Sequence, residues 1–224
     1  MNMNTILERA NSVCVAVRKD CDFPVSFKAL MTKARRQFKK HDFDIALKTQ
    51  RKKFLGPEEF YVNAYYDAED DKNHETAIEV FLYHNFANTE TWDHKHVTDI
   101  LVQLFDAVVH EYRHRRQSVK RHYAVYSNHM QEPYVNYLAD PDELDAYALS
   151  ITIELCRTLG KYRALNYMHR FTALSRFKIQ NVYVSPNLNA YVSHFGNIDD
   201  GLIKRLAKKV YIRLKKIDTD HVFV

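Results

Sequence analysis

From about Asp93 to Lys120 the chain keeps one helical period. Val97, Ile100, Leu101, Leu104, Phe105, Val108 and Tyr112 recur three and four positions apart, an apolar stripe that has to be covered by other parts of the fold. Gln103, Asp106, His110, His114 and Gln117 share another side. A polar, His-rich side beside a strong apolar stripe is what a cleft-lining helix shows; a surface helix with ordinary histidines is the plain alternative. Inside this pattern stands His110-Glu111-Tyr112-Arg113-His114, an H-E-x-x-H string. Residues four apart project from one helix face about one turn apart. Two imidazoles so placed can bind one tetrahedral Zn2+, with the intervening glutamate set to act on a bound water. Such strings also arise by chance, so the surrounding sequence has to carry the reading.

The surroundings narrow the class. At 224 residues, 46% of them hydrophobic, the chain has material for one domain, or one domain with an appendage. No apolar run is long enough for a transmembrane helix, and Met1 to Arg18 lacks the charged-then-apolar order of a signal peptide. Cys14, Cys21 and Cys156 form no C-x-x-C pair, and an odd count of three fits a reducing, cytoplasmic setting. A formal charge of +5 permits contact with nucleic acid or an acidic partner without demanding it. Only four glycines, with neither a Walker A nor a G-x-G-x-x-G string, speak against phosphate-cradling loops.

Along the chain, residues 4 to 18 are expected to form a first helix, and Ser26 to Lys40 a second with Phe27, Leu30, Met31, Ala34 and Phe38 on its apolar side. Lys48 to Lys53 reads as further positive charge before the break at Gly56-Pro57. That break separates an N-terminal helical segment, 1–56, from a domain over 57–224. Phe60 to Tyr66 and Thr76 to His84 have strand character, with Ile78, Val80 and Leu82 pointing one way and Glu79, Phe81 and Tyr83 the other. Together they predict an antiparallel hairpin around an acidic turn at Asp67 to Asn73. Arg113, Arg115, Arg116, Lys120 and Arg121 near the end of the His-bearing helix are explained by the helix dipole and solvation. Residues 122 to 139 look irregular. Asp140 then fits an N-cap, Pro141 the first helical position, and Gly160 a stop after Leu159. Lys161 to Ser175 reads as a helix, Asn181 to Phe195 as loop or short strand around Pro186, and Ile198 to Ile217 as a basic amphipathic helix.

A catalytic zinc takes three protein ligands and leaves one position for water, so His110 and His114 need a third. Glu143 opens an E-x-x-A run, Glu143 to Ala146, at the start of the following helix. The pairing of the H-E-x-x-H string with a downstream E-x-x-A resembles the gluzincin branch of zinc metallopeptidases. It is most similar to the compact ImmA/IrrE-type peptidases and to small zincins often encoded by bacteriophages. The similarity covers about residues 60 to 160. It implies an α+β, zincin-like fold, a small antiparallel sheet packed on an active-site helix with further helices behind. It also implies His110, His114 and Glu143 as zinc ligands and Glu111 as the general base toward a zinc-bound water. Asp145 would orient a ligand histidine or replace Glu143 as ligand. Glu143 also has a bland role, as the N3 member of a capping-box-like start after Asp140. Tyr147, Tyr183, Tyr191 and His194 are the candidates for steadying an oxyanion. Arg113 places a charge where the family usually has none, and Gln117 and Lys120 stand where a metzincin has Gly and His.

The expectation is therefore a Zn2+-dependent hydrolase, a metallopeptidase acting on a protein or peptide substrate in the cytoplasm, the host's cytoplasm if the source is viral. Two alternatives belong to other classes. One is a binding or structural protein, a virion or regulatory component, on a zincin scaffold without turnover. The other is a nucleic-acid-binding protein, suggested by Lys33 to Lys40, Arg51 to Lys53 and Lys204 to Lys216.

Overall fold

The computed structural model describes residues 3–124, 134–173, 184–195 and 201–223. The chain divides into two compact units, residues 1–123 with 223–224, and residues 124–222. Its class is mixed α+β.

In the first unit, helices α1 (Met3–Asp20), α2 (Phe27–Lys40), α3 (Ala68–Lys72) and α4 (His94–Lys120) accompany strands β1 (Val25–Ser26), β2 (Ala46–Arg51), β3 (Phe60–Tyr66), β4 (Ile78–His84) and β5 (Thr91–Trp92). The predicted stripe of α4, from Val97 to Tyr112, is buried throughout. Asp93 caps this helix by accepting from the His96 amide at 2.9 Å. Helix α1 lies against α4 and α2 and buries Ile6, Leu7, Ala10, Val13, Cys14 and Val17. Helix α2 buries the five predicted side chains, and its Ser26 cap accepts from Ala29 N.

The sheet has the order β2-β4-β3. Strands β3 and β4 pair antiparallel, Tyr61 opposite Tyr83 and Tyr65 opposite Glu79, as the alternation predicts. The opposite edge departs from expectation: β2 pairs with β4 in parallel, so the sheet is mixed rather than purely antiparallel. Within β2 only Leu47 is buried. A strand with one core residue leaves no alternating pattern, which is why 48–53 reads in sequence as charge alone. Ile78, Val80 and Leu82 are all fully buried, and the sheet meets α4 through β3 and β4. The Val62 amide of β3 donates to Gln103 Oε1 of α4 at 3.1 Å. The acidic segment expected as a turn contains α3, a short helix whose cap, Asp67, accepts from the amides of Glu69 and Asp70.

His84 closes β4 inside the core, 5% exposed, with ring centroids 4.5 Å from Phe27 and 4.4 Å from Phe86. Burial, the largest cause, holds its imidazole below the ordinary value of 6.5. The folded chain therefore keeps His84 neutral at a pH where the unfolded chain already takes a proton. Its contribution to stability is complete above about pH 6.5 and is lost as pH falls from there through the lower folded value. The denaturation midpoint, read from the fluorescence of Trp92, is expected to fall between about pH 7.5 and about pH 5. The drop should be smaller in a His84→Phe variant; an equal drop would remove His84 from the acid response.

The second unit is helical: α5 (Tyr134–Ala139), α6 (Pro141–Leu159), α7 (Lys161–Ala173), α8 (Pro186–Phe195) and α9 (Gly201–Lys216), then a 3-10 turn at Thr219–His221. Helix α6 begins and ends as predicted. Asp140 accepts from the amides of Asp142 and Glu143, Pro141 stands in the first turn, and Gly160 ends the helix at φ 74°. Helix α6 packs against α7, α8 and α9. It buries Leu144, Leu149, Ile151, Ile153 and Leu155, and α9 buries Leu202, Ile203, Leu206, Val210 and Leu214.

The stretch before Phe195, expected as loop or strand, is corrected to helix from Pro186 onward. Ser185 and Pro186 are a helix start: the Leu188 amide donates to Ser185 Oγ at 3.1 Å, and proline's missing N–H costs nothing in a first turn. Buried Ser150 and Thr152 return their hydroxyls to the carbonyls of Ala146 and Ala148. Glu154 of α6 holds the start of α8, accepting from the Ser185 hydroxyl and from Asn187 N and Nδ2 at 3.2 and 2.7 Å.

Candidate metal centre

Helix α4 presents His110 and His114 one turn apart, both half-buried. Their Nε2 atoms are 3.1 Å apart, with ring centroids at 4.9 Å and planes inclined by 59°. Two ligands on a tetrahedral ion with metal–nitrogen bonds of about 2.0–2.1 Å stand roughly 3.3–3.4 Å apart. The observed separation is within a few tenths of an ångström of that span, so the two imidazoles fit a shared ion with little adjustment. Glu111, between them in sequence, is 8% exposed.

The same turns of α4 are held in place by their neighbours. Tyr112 is buried, and its hydroxyl oxygen accepts from the Asp44 amide at 3.2 Å. Its ring stands edge-on to Phe43 with centroids 5.1 Å apart. Burial pushes the Tyr112 hydroxyl above its ordinary value, so it stays protonated at neutral pH. Arg115, next to His114, donates to both carboxylate oxygens of Asp71, at 2.6 and 3.1 Å. Asp71 is only 4% exposed and also accepts from Tyr66 Oη at 3.0 Å. The helix-dipole account of Arg115 is therefore insufficient: it makes a two-point ion pair that ties α4 to α3. No local pattern marks Asp71 among Glu69, Asp70 and Asp71 as the buried acid; its partner is 44 residues away.

In the second unit Glu143 occupies the first turn of α6, 7% exposed, its amide 3.4 Å from the capping Asp140 Oδ1. Asp145 accepts from Arg213 Nη2 at 2.6 Å and from Lys209 Nζ at 3.3 Å. Tyr147 stands edge-on to Tyr191 with centroids 5.2 Å apart. Tyr191 is fully buried, and its hydroxyl donates to the Leu138 carbonyl at 3.0 Å. His194 lies edge-on to Phe195 at 5.2 Å. Tyr183 lies outside the described residues.

No helix among the described residues is long and apolar enough to cross a membrane. No family model matches the sequence, and no curated protein or solved structure matches the chain.

Proposed function

We propose that His110, His114 and Glu143 hold one divalent metal ion, zinc by ligand type. On this reading the chain is a metal-dependent hydrolase of peptide bonds on a zincin-like scaffold. The observation that carries the proposal is the Nε2 pair of His110 and His114 at 3.1 Å. Glu143 is favoured over Asp145 as the carboxylate ligand because Asp145 is already engaged by Arg213 and Lys209. A bound ion would make a water acidic enough to ionise near neutral pH and would polarise a substrate carbonyl. Glu111 would take up the proton released there and return it to the leaving amine, as a general base and then acid. The Arg115–Asp71 pair and the Tyr112–Asp44 hydrogen bond would keep the two histidine side chains aimed together.

Metal analysis tests the ligand set. Purified wild-type protein is expected to carry about one equivalent of zinc, and His110→Ala, His114→Ala and Glu143→Ala far less. Each variant is to be matched to wild type by circular dichroism. A folded wild-type protein that takes up no zinc, cobalt or manganese would overturn the proposal. A wild type that holds metal and cleaves nothing in a broad peptide library would instead be a metal-bearing binding protein.

A further inference from the structure

The outer face of the three-stranded sheet, opposite the one carrying Ile78, Val80 and Leu82, is a ladder of aromatic rings. The register aligns Gln50, Tyr83 and Tyr61 in one row, Lys48, Phe81 and Asn63 in the next, and Ala46, Glu79 and Tyr65 in the third. Tyr61 and Tyr83 are stacked at 4.7 Å, Phe81 and Tyr83 at 5.8 Å, and Tyr65 and Phe81 at 6.1 Å, with planes within 26° of parallel throughout. Tyr61 and Tyr65, on the edge strand β3, are 39% and 47% exposed, and Phe54 in the β2–β3 connection is 75% exposed.

Cations stand among these rings. Lys48 Nζ lies 5.4 Å from the Phe81 ring centre and Lys52 Nζ 4.9 Å from that of Tyr83. Lys48, Arg51, Lys52 and Lys53 fall in a stretch, Ala46 to Pro57, that contains no acidic residue. The acids near this face are unevenly placed. Glu79 is matched by Lys48 Nζ and Tyr65 Oη, each at 2.6 Å. Glu58 and Glu59 precede β3, with Glu59 accepting from the Gly56 amide. Asp67, Glu69 and Asp70 follow the far end of β3. The Tyr61–Tyr83 end thus carries Arg51, Lys52 and Lys53 with Glu58 and Glu59 nearby, and the Tyr65 end is acidic.

The geometry points to single-stranded nucleic acid as the occupant of this face. The exposed Tyr61 and Tyr65 rings offer stacking surface to unpaired bases, and the Lys52 ammonium beside Tyr83 can donate to a phosphate of the same strand. The Asn63 and Gln50 amides, in the same rows as the rings, supply donors and acceptors for base edges. A duplex hides its base faces and so has nothing to offer the rings. An apolar protein partner would cover the Lys52 ammonium, which stands over the Tyr83 ring, without supplying a counter-charge. The inference is independent of the metal site.

The test uses the full chain and fluorescence anisotropy of end-labelled 12-mers of oligo-U and oligo-dT, with a 12-base-pair duplex as comparison. At least one single strand is expected to bind more tightly than the duplex, the tighter one identifying the preferred sugar, and binding should weaken with salt. Tyr61→Ala is expected to weaken it by about 5- to 150-fold and Tyr61→Phe to preserve it, because the ring rather than the hydroxyl stacks. Lys52→Gln should lower the salt slope by about one. Tyr61 is an edge-strand side chain, so Tyr61→Ala keeps the core intact, which circular dichroism checks. Absence of binding to both single strands at low salt overturns the inference. So does duplex binding of equal strength, or single-strand binding that neither Tyr61→Ala nor Lys52→Gln changes.

Discussion

Glu111→Gln is expected to lower peptide cleavage by about 10²–10⁴-fold while metal content stays at the wild-type level. Glutamine keeps the size and shape of the side chain and removes its capacity to take a proton. Glu111 is not one of the proposed ligands, so uptake of the ion should be unaffected. It is 8% exposed, and exchanging a carboxylate for an amide there removes a charge without opening a cavity, so the melting temperature should not drop far. The loss should lie in kcat more than in KM, since the proton moves only during reaction. Cleavage by Glu111→Gln at the wild-type rate, with metal bound, would eliminate the general-base mechanism while leaving the ligand set standing.

Asp71→Ala should cost the first unit about 3 kcal/mol, the lower end of what breaking a buried ion pair costs. Asp71 is 4% exposed and Arg115 30%. Removing the carboxylate leaves a guanidinium partly buried without its counter-charge and takes an acceptor from Tyr66 as well. The partial exposure of Arg115 lets water recover some of the loss, which is why the lower figure applies. Trp92, the sole tryptophan, is 3% exposed within this unit, so its fluorescence during denaturation reports on the unit concerned. Arg115→Met combined with Asp71→Ala is expected to regain a good part of the stability, because the stranded charge is then gone. A loss below about 1 kcal/mol in Asp71→Ala would show that the pair is solvated in effect.

The elements that the chain announces in advance are those whose causes are local. The α4 stripe from Val97 to Tyr112 follows from side chains three and four apart, which share a face wherever the helix docks. The limits of α6 follow from Asp140, Pro141 and Gly160, each acting on backbone groups within one turn. The close approach of His110 and His114 is likewise a property of one helix, four residues apart on one side. Strand β2 has no such local cause, since Leu47 alone is buried and the strand exists because β4 lies beside it to take its hydrogen bonds. Helix α8 has no local cause strong enough to show in the sequence around Pro186; Glu154, more than 30 residues away, helps make that proline a helix start.

The sequence alone determined which helix carries the two imidazoles and how far apart they stand, because helical geometry ties position to direction over a single turn. Only the tertiary structure decided that Arg115 reaches Asp71, that Tyr112 is held by Asp44, and that Lys48 and Lys52 stand over aromatic rings. These contacts join residues about 30 to 70 positions apart, and the pairing of β2 with β4 is what brings Lys48 and Lys52 to their rings. Their partners are selected by packing and by the penalty on an unpaired buried charge, and neither leaves a mark in the neighbouring residues.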